Sequence, residues 1–243
     1  KILTIGFICI SFIVGVVTIA VVSTNVSPFY NTIFNNISCD KNECEIAITD
    51  NLNVTPFQID KYDKNLARVC LDLIARIEKK IDFVPYSQLK HVTDIFTKYN
   101  NDLLLSSVWY NNDVVFVPFR GTWNLKEWKN NFKIEQIDSE YINKHYEIKP
   151  LFMNIEENIK VHKGFFNIFS EIFENVKDIL LNIPDISNKK ICLAGHSLGA
   201  AISTLIGLEL KLNGITNICV YTFGSPRIGN QHFSNIFKKV PLN

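Results

Sequence analysis

The chain has 243 residues, a length that suits one large domain or two small ones. With 47% hydrophobic and 20% charged residues it can bury a sizeable core, which excludes global disorder. Its net charge of +1 excludes the strongly basic surface expected of a nucleic-acid-binding protein.

The N-terminus carries an uncharged apolar run from Ile2 to Val22. These 21 residues exceed the apolar core of most signal peptides, about 7–15 residues, and match the roughly 20 that a membrane-spanning helix needs. We interpret residues 1–23 as a signal peptide or a transmembrane signal anchor, and the poor cleavage signal favours the anchor. A buried core helix is the remaining alternative. Lys1 favours translocation of the chain beyond this run, so we expect a secreted or membrane-anchored, extracytoplasmic protein.

After an Asn-rich, aperiodic linker over residues 24–56, helical and strand-like patterns alternate. Apolar residues at helical spacing predict amphipathic helices, and short apolar runs between turn residues predict strands. The predicted elements are a helix over 58–81, a weaker helix over 87–99, a hairpin of strands 103–110 and 114–119, a helix over 165–183, a strand over 190–194, a helix over 198–213, a strand over 217–223 and a helix over 230–239. Residues 133–160 are polar and predict no defined element. The C-terminal alternation implies a parallel sheet with helices on its faces.

Cysteine positions give further expectations for a translocated chain in an oxidising compartment. Cys39 and Cys44 lie in a polar loop that a small disulfide could close, whereas Cys192 and Cys219 lie in apolar strands and are expected to be buried free thiols. Cys70 is left without an evident partner. The sequence has no CxxC pair and no histidine cluster, so we expect no zinc site.

The most specific pattern is Gly195-His196-Ser197-Leu198-Gly199, between an apolar strand and a helix of small residues. A serine on this turn takes a strained backbone, and the flanking glycines let strand and helix approach closely. The turn lifts the hydroxyl off the sheet edge at a helix N-terminus, which favours developing negative charge. Ser197 is the candidate nucleophile; the alternative is a glycine-rich turn with an incidental serine. His196 points elsewhere on the turn and is not a candidate base.

Three further motifs accompany this turn: V-F-V-P-F-R-G-T at residues 115–122, V-H-K-G-F at 161–165 and T-F-G-S-P-R-I-G at 222–229. In these motifs and their order the chain resembles the class 3 lipases, the fungal triacylglycerol lipase type of α/β hydrolase. The resemblance covers roughly residues 57–243. It implies an α/β fold of the α/β-hydrolase type, with a mostly parallel central sheet and helices on both faces.

The resemblance also assigns roles around the candidate nucleophile. Thr122, through its backbone N–H and hydroxyl, would supply one contact to the oxyanion, and the N–H of Leu198 would supply the other, in agreement with the physical need for two donors. The alternative for Thr122 is an ordinary turn residue at a strand end. Gly195, His196 and Gly199 complete the nucleophile elbow.

Three basic residues in these motifs are not expected to be catalytic. Arg120 and Arg227 are interpreted as structural. His162 precedes the serine, whereas the fold places its catalytic histidine after it, so His162 is interpreted as a packing or hydrogen-bonding residue.

Residues 122–133 match the lid of the family. Leu125, Trp128 and Phe132 fall on one face of a short helix, and Trp123 adds another aromatic side chain. Such a helix would cover the pocket in water and lay its apolar face on lipid at an interface. The alternative is an ordinary surface helix packed on the core.

A serine hydrolase also needs a base and an acid that orients it. After Ser197 the chain holds one acidic residue, Glu209, and one histidine, His232. Glu209 lies on the helix that follows the elbow and should face away from the catalytic edge, and His232 lies in a polar helix start. In the family the acid and the histidine lie further along the chain. We therefore expect residues 57–243 to be a C-terminally incomplete hydrolase domain without a working triad of its own, or an inactive hydrolase.

The resemblance implies a serine hydrolase that cleaves carboxylic esters of lipids, of the triacylglycerol type, through an acyl-serine intermediate. It implies a lipid ester at a lipid–water interface as the substrate, and no metal or redox cofactor. The net charge of +1 leaves no expectation of a nucleic-acid partner. A phospholipase or a small-ester esterase is the alternative enzyme. A catalytically inactive lipid-binding or scaffolding domain is the alternative from another functional class.

Overall fold

The computed structural model describes residues 12–13, 16–17, 62–79, 86–98, 103–122, 135–155, 158–240 and 242. The chain divides into two compact units, Lys1–Leu52 and Asn53–Asn243. In the first unit, β1 (Phe12–Ile13) pairs antiparallel with β2 (Val16–Val17). Across the described ranges, no helix has the length and apolar character that a bilayer crossing requires. The expected Cys39–Cys44 disulfide lies outside the described residues, and the domain boundaries at residues 23 and 56 stay predictions.

The second unit alternates helices and strands around one central sheet. Within the described residues of this unit, two short 3-10 turns, Leu151–Asn154 and Ile186–Asn188, lie between them. The elements are α1 (Lys64–Lys79), β3 (Lys90–Thr97), β4 (Leu103–Tyr110), β5 (Val114–Phe119), β6 (Gln136–Asp138), α2 (Ser139–His145), β7 (Lys160–His162), α3 (Lys163–Leu181), β8 (Lys190–His196), α4 (Leu198–Leu212), β9 (Ile218–Phe223) and α5 (Gln231–Lys239).

The central sheet has the strand order β3-β4-β5-β8-β9. The pairs β3–β4 and β4–β5 are antiparallel, and β5–β8 and β8–β9 are parallel. The predicted hairpin and the predicted parallel pairing in the C-terminal half are both confirmed. The sheet was expected to be mostly parallel, but it is mixed, because the hairpin adds two antiparallel strand pairs to the two parallel ones. A separate two-stranded sheet joins β6 to β7.

Helices cover both faces of the sheet, as expected. Cys192 of β8 contacts Cys70 of α1, whereas the next residue of the strand, Leu193, faces Gly207 of α4. Because successive strand side chains point to opposite faces, α1 and α4 lie on opposite sides of β8. Helix α4 is buried along almost its whole length, from Leu198 to Leu210, which suits a sequence that is apolar all round.

Helix α3 covers the same core with a stripe of phenylalanines. Phe165, Phe166, Phe169 and Phe173 are each at most 2% exposed, so this stripe belongs to the core. The helix begins after His162, whose ring nitrogen Nδ1 accepts a hydrogen bond from the Gly164 N–H at 3.1 Å. The His162 ring also stacks on Phe165, with 4.3 Å between ring centroids. His162 is thus a capping and packing residue, as predicted.

One element differs in type from its prediction. Residues 87–99 were expected to form a weak helix, yet residues 90–97 form the edge strand β3, paired with β4. Four β-branched residues, Val92, Thr93, Ile95 and Thr97, suit a strand, and pairing with the strongly apolar β4 outweighs local helical spacing. Two register shifts in this ladder interrupt the alternation that would have marked a strand.

The polar segment 133–160, which predicted no defined element, folds in its described parts into β6, α2, a 3-10 turn and the start of β7. Helix α2 is capped by Asp138, the residue before it, whose carboxylate accepts a hydrogen bond from the Tyr141 N–H. These elements are short, which is why periodicity does not reveal them.

Three cysteines of this unit lie together in the core as free thiols. The sulfur atoms of Cys70 and Cys192 are 3.4 Å apart, and Cys219 pairs in register with Cys192 across the β8–β9 ladder. Burial raises the pKa of the Cys192 thiol well above its ordinary value. The expectation of buried free thiols at 192 and 219 is confirmed, and Cys70 joins them rather than standing alone.

The first turn of α4 crosses directly over the end of β5. A Cβ atom at Gly199 would lie 2.2 Å from the carbonyl oxygen of Phe119 and 2.6 Å from that of Arg120. Both contacts are with backbone atoms, which cannot move aside as a flexible side chain can. Glycine is therefore required here for helix and strand to meet.

We expect Gly199→Ala to lower the free energy of unfolding by about 3 kcal/mol, because the new methyl group overlaps backbone. Gly214→Ala is the matched control, since Gly214 has a φ of 88° but open space around it. This control should cost only about 1–2 kcal/mol, the usual penalty of a left-handed conformation. Urea unfolding measures both variants, and equal losses would contradict the close approach at Gly199.

The capping role of His162 predicts a pH-dependent stability. Burial lowers the pKa of His162 from its ordinary 6.5. As the pH falls below about 6.5 the unfolded chain binds this proton before the folded chain does, so stability declines with falling pH. We expect a smaller decline in His162→Asn, whose side-chain oxygen can accept the same hydrogen bond without titrating.

Unfolding midpoints measured at about pH 7.5 and pH 5.5, on either side of the ordinary histidine pKa, test this expectation. His232→Asn, at an exposed position of α5, controls for the loss of a surface histidine. An equal change of the unfolding midpoint between the two pH values in wild type and His162→Asn would contradict the role of His162 in this pH dependence.

Candidate active site

The candidate site lies at the carboxyl-terminal ends of the parallel strands of the central sheet, which form one edge of the sheet. Phe119, the last residue of β5, pairs with Gly195, and the last residues of β8 and β9, His196 and Phe223, pair with each other. The segments that follow these strands therefore emerge side by side. They carry Thr122 and Ser197 to the same edge.

Ser197 forms a sharp turn between β8 and α4. Its backbone angles are φ 50° and ψ −113°, a region that residues with a side chain rarely adopt. Its N–H donates to the carbonyl oxygen of Phe223 at 2.9 Å, and its own carbonyl accepts from Ala200 at 3.0 Å. The strained backbone predicted for this serine is confirmed, and hydrogen bonds on both sides hold it.

The two glycines of the motif make this turn sterically possible. A Cβ atom at Gly195 would lie 2.1 Å from the carbonyl carbon and oxygen of Gly199. The end of the strand and the first turn of the helix are thus in direct backbone contact. Any larger residue at Gly195 would push the helix away from the strand.

The Ser197 hydroxyl lies at the N-terminus of a long buried helix and makes no hydrogen bond to another residue of the described part of the chain. Leu198 is the first helical residue, so its N–H has no acceptor within the helix. The partial positive charge of a helix N-terminus favours an anion at this position. An oxyanion formed next to Ser197 would meet an available donor.

Thr122 follows β5 by three residues and presents a buried polar atom that no described residue satisfies. This atom is its Oγ1, which has no hydrogen-bond partner within the described ranges. A buried hydroxyl without a partner is unusual and costly in a folded protein. The roles of Thr122 and Leu198 as oxyanion donors stay predictions. The Thr122 hydroxyl and the Leu198 N–H are both donors without an acceptor among the described residues or within the helix, and both lie at the sheet edge that carries Ser197.

Arg120, just before this loop, is almost fully buried and binds backbone oxygens. Its Nε donates to the carbonyl of Leu104, and its Nη1 donates to the carbonyl of Gly121 at 2.7 Å. Arg227 similarly donates from Nε to the carbonyl of Gly229 at 2.9 Å. Both arginines hold backbone in place, in agreement with the structural roles expected for them.

The structure adds one residue that sequence reasoning missed, Glu78 near the end of α1. Its Oε1 accepts a hydrogen bond from the Gly121 N–H at 2.8 Å and lies 2.8 Å from Nδ1 of His196. A carboxylate oxygen accepts, so this contact is a hydrogen bond in the His196 tautomer that carries its proton on Nδ1. The one hint in the sequence is an acidic side chain next to the buried residues Ile74 and Ile77 of an amphipathic helix.

Neither residue considered for the acid or the base binds Ser197. Glu209 lies 11 positions after Leu198 in α4, roughly 16 Å along the helix axis at 1.5 Å per residue. Its carboxylate accepts from the N–H groups of Leu151 and Phe152, and burial raises its pKa. His232 is exposed on α5. Glu209 faces away from the site, as predicted.

The predicted lid residues Trp123, Leu125 and Trp128 lie outside the described residues. Within the described ranges, no group of three or more His, Cys, Asp or Glu side chains could hold a metal ion.

Comparison with known proteins identifies the family. The family described as Lipase (class 3) matches residues 116–242, more than half of the chain. A secreted mono- and diacylglycerol lipase 1 of Fusarium solani is 29% identical over 123 residues, covering 50% of this chain and 32% of that protein. A phospholipase A1-II 5 of Oryza sativa subsp. indica is 27% identical over 151 residues, covering 53% of this chain and 31% of its own length.

Solved structures show the same fold. The native Rhizomucor miehei lipase propeptide complex aligns with a TM-score of 0.59 at 21% identity, covering 73% of this chain and 58% of the lipase chain. The chain spans only about a third of the length of the two curated relatives. From the matched motifs, the strand-to-helix turn at Ser197 and the common fold, the chain belongs to the class 3 lipase family and has the α/β-hydrolase fold.

Proposed function

We propose that this chain carries the nucleophile of a serine ester hydrolase that acts on lipid esters. The observation that carries the proposal is Ser197 itself. It holds a strained backbone on a strand-to-helix turn, at the N-terminus of a buried helix, with a hydroxyl that binds no other described residue. Backbone strain of this kind costs about 1–3 kcal/mol and is found mainly at functional sites.

In the proposed reaction, Ser197 Oγ attacks the carbonyl carbon of an ester and forms a tetrahedral oxyanion. The N–H of Leu198 and the N–H and hydroxyl of Thr122 donate to that oxyanion. Collapse expels the alcohol and leaves an acyl-serine, which water then hydrolyses to release the carboxylic acid. The serine proton passes to a general base and from there to the leaving alcohol.

The proposal assigns no residue to this base. Within the described residues, no imidazole or carboxylate forms a hydrogen bond with Ser197 Oγ. His196 is turned towards Glu78, Glu209 caps the turn at Leu151, and His232 is exposed. We therefore assign the nucleophile and the oxyanion donors only.

The proposed substrate is an acylglycerol-type lipid at a lipid–water interface. The Fusarium relative is named as a mono- and diacylglycerol lipase, and the rice relative as a phospholipase A1. A phospholipid is therefore the second candidate substrate. The lid role of Trp123, Leu125 and Trp128 in contact with lipid is also proposed, on the family motif alone.

We further propose that the protein is secreted or membrane-anchored. The proposal rests on the apolar run from Ile2 to Val22 and on the Fusarium relative, which is named as secreted. Carbonate extraction of cell membranes separates the two forms, because an anchored chain stays with the bilayer and a cleaved one is released. Recovery of the uncleaved chain in the cytosol would reject both.

The nucleophile assignment predicts serine-specific labelling of the natural, full-length protein. A fluorophosphonate probe should label the wild type and fail to label Ser197→Ala, because only an activated serine displaces the fluoride. Ser170→Ala is the matched control, since the Ser170 hydroxyl binds the Asn167 carbonyl in α3, outside the site.

Equal labelling of wild type and Ser197→Ala would reject the assignment of the nucleophile. A folded full-length protein that takes up no probe and cleaves no ester would instead support the inactive lipid-binding alternative. Comparing triacylglycerol, diacylglycerol and phospholipid emulsions then decides between the candidate substrates.

The oxyanion assignment predicts a specific effect at Thr122. Thr122→Val keeps the shape and the backbone N–H but removes the hydroxyl, so we expect turnover to fall about 10- to 100-fold, less than the 10²–10³-fold typical of a whole oxyanion donor. Thr122→Ser keeps the hydroxyl and should stay within about threefold of wild type. Equal turnover of the Val and Ser variants, measured with a soluble ester, would show that the hydroxyl takes no part.

A further inference from the structure

The geometry points to Glu78 as a positioning residue for the oxyanion side of the site, an inference that rests on the proposed ester hydrolase function. Glu78 lies on α1, far in sequence from the residues that carry the chemistry. Its carboxylate joins α1 to the loop after β5, through Gly121, and to the last residue of β8, His196. We infer that it fixes the backbone from which Thr122 donates.

Glu78 holds the peptide group between Arg120 and Gly121. Its N–H belongs to Gly121 and donates to Glu78 Oε1 at 2.8 Å. The side chain of Glu78 is only 17% exposed, so water competes weakly for this bond. The carboxylate thus holds one end of Gly121 in a fixed direction.

The next peptide group contains the Gly121 carbonyl and the Thr122 N–H, and Arg120 holds it. The Arg120 Nη1 donates to this carbonyl at 2.7 Å. A trans peptide is planar, so fixing the carbonyl on one side fixes the N–H on the other. With Glu78 on the preceding peptide group and Arg120 on this one, the Thr122 N–H can point in one direction only.

Glu78 also links this loop to the turn that carries the nucleophile. The same oxygen, Glu78 Oε1, accepts from Nδ1 of His196, the residue directly before Ser197. The packing is tight here, because a Cβ atom at Gly121 would lie 2.8 Å from His196 Nδ1 and 3.0 Å from Glu78 Oε1. One carboxylate oxygen therefore sets the spacing between the oxyanion donor and the turn that carries the nucleophile.

This arrangement matters because oxyanion donors act through their fixed placement. Donors must lie within about 0.5 Å of the productive geometry to stabilise the developing charge. Glycine at position 121 leaves the backbone free to rotate unless neighbouring groups restrain it. Glu78 and Arg120 supply that restraint without touching the reacting atoms.

The test compares variants of Glu78 in the full-length protein. Glu78→Ala removes the acceptor, and we expect kcat to fall about 10- to 100-fold with KM within about twofold, since losing a donor outright costs about 10²–10³-fold. Glu78→Gln keeps an oxygen that can accept the same two donors and should restore kcat to within about threefold of wild type.

Asp72→Ala is the matched control. Asp72 is a partly buried carboxylate of the same helix that accepts from Tyr86 OH at 2.7 Å, and it lies six residues before Glu78, roughly 9 Å along the helix axis. A kcat of Glu78→Ala within threefold of wild type, or an equal loss in Asp72→Ala, would overturn the inference. If Glu78→Ala does not fold, Glu78→Asp takes its place under the same criteria, since its carboxylate is one methylene too short to reach both donors.

A second measurement separates this inference from the proposed function. Hydrogen exchange of the Gly121 amide, followed by mass spectrometry, should be faster in Glu78→Ala than in wild type, Glu78→Gln and Asp72→Ala. If the wild type hydrolyses no ester, the proposed function fails. The exchange rate of the Gly121 amide then decides whether Glu78 positions this loop. Faster exchange confined to Glu78→Ala supports the positioning role, and unchanged exchange rejects it.

Discussion

The whole candidate site depends on one close approach of backbone to backbone. Helix α4 begins so near the ends of β5 and β8 that Gly195 and Gly199 leave no room for a Cβ atom. This approach forces Ser197 into its unusual conformation and places the helix N-terminus at the sheet edge. The energy that maintains the strain comes from α4, which is buried on all sides and cannot tilt away without exposing its apolar surface.

A second level of organisation holds the loop after β5 by charged groups instead of apolar contacts. Arg120 is buried among backbone carbonyls, and Glu78 accepts from a backbone N–H and a histidine. Charged partners form stronger hydrogen bonds than neutral ones, and they specify direction as well as distance. Apolar packing thus sets where the strands end, and ionic hydrogen bonds set how the loops beyond them are oriented.

The sequence predicts the elements that depend on neighbouring residues, and it does not predict the contacts between residues far apart in the chain. The elbow at Ser197 and helix α3 follow from patterns within about 20 residues, the range over which periodicity and turn chemistry act. Glu78 lies 43 residues from Gly121 and 118 from His196, so no local pattern could reveal its contacts. Strand β3 was mistaken for a helix because an edge strand with register shifts carries no clear alternation, and its partner β4 decides its conformation.

The three buried thiols lie at the contact between α1 and the sheet, so their reaction with an alkylating reagent measures how often this contact opens. Cys70 comes from the helix, while Cys192 and Cys219 come from the two neighbouring strands behind it. All three are at most 2% exposed, so an alkylating reagent reaches them only when the helix lifts from the sheet. Because α1 also carries Glu78, the rate of cysteine alkylation in the native protein reports how often the helix that braces the site detaches from it.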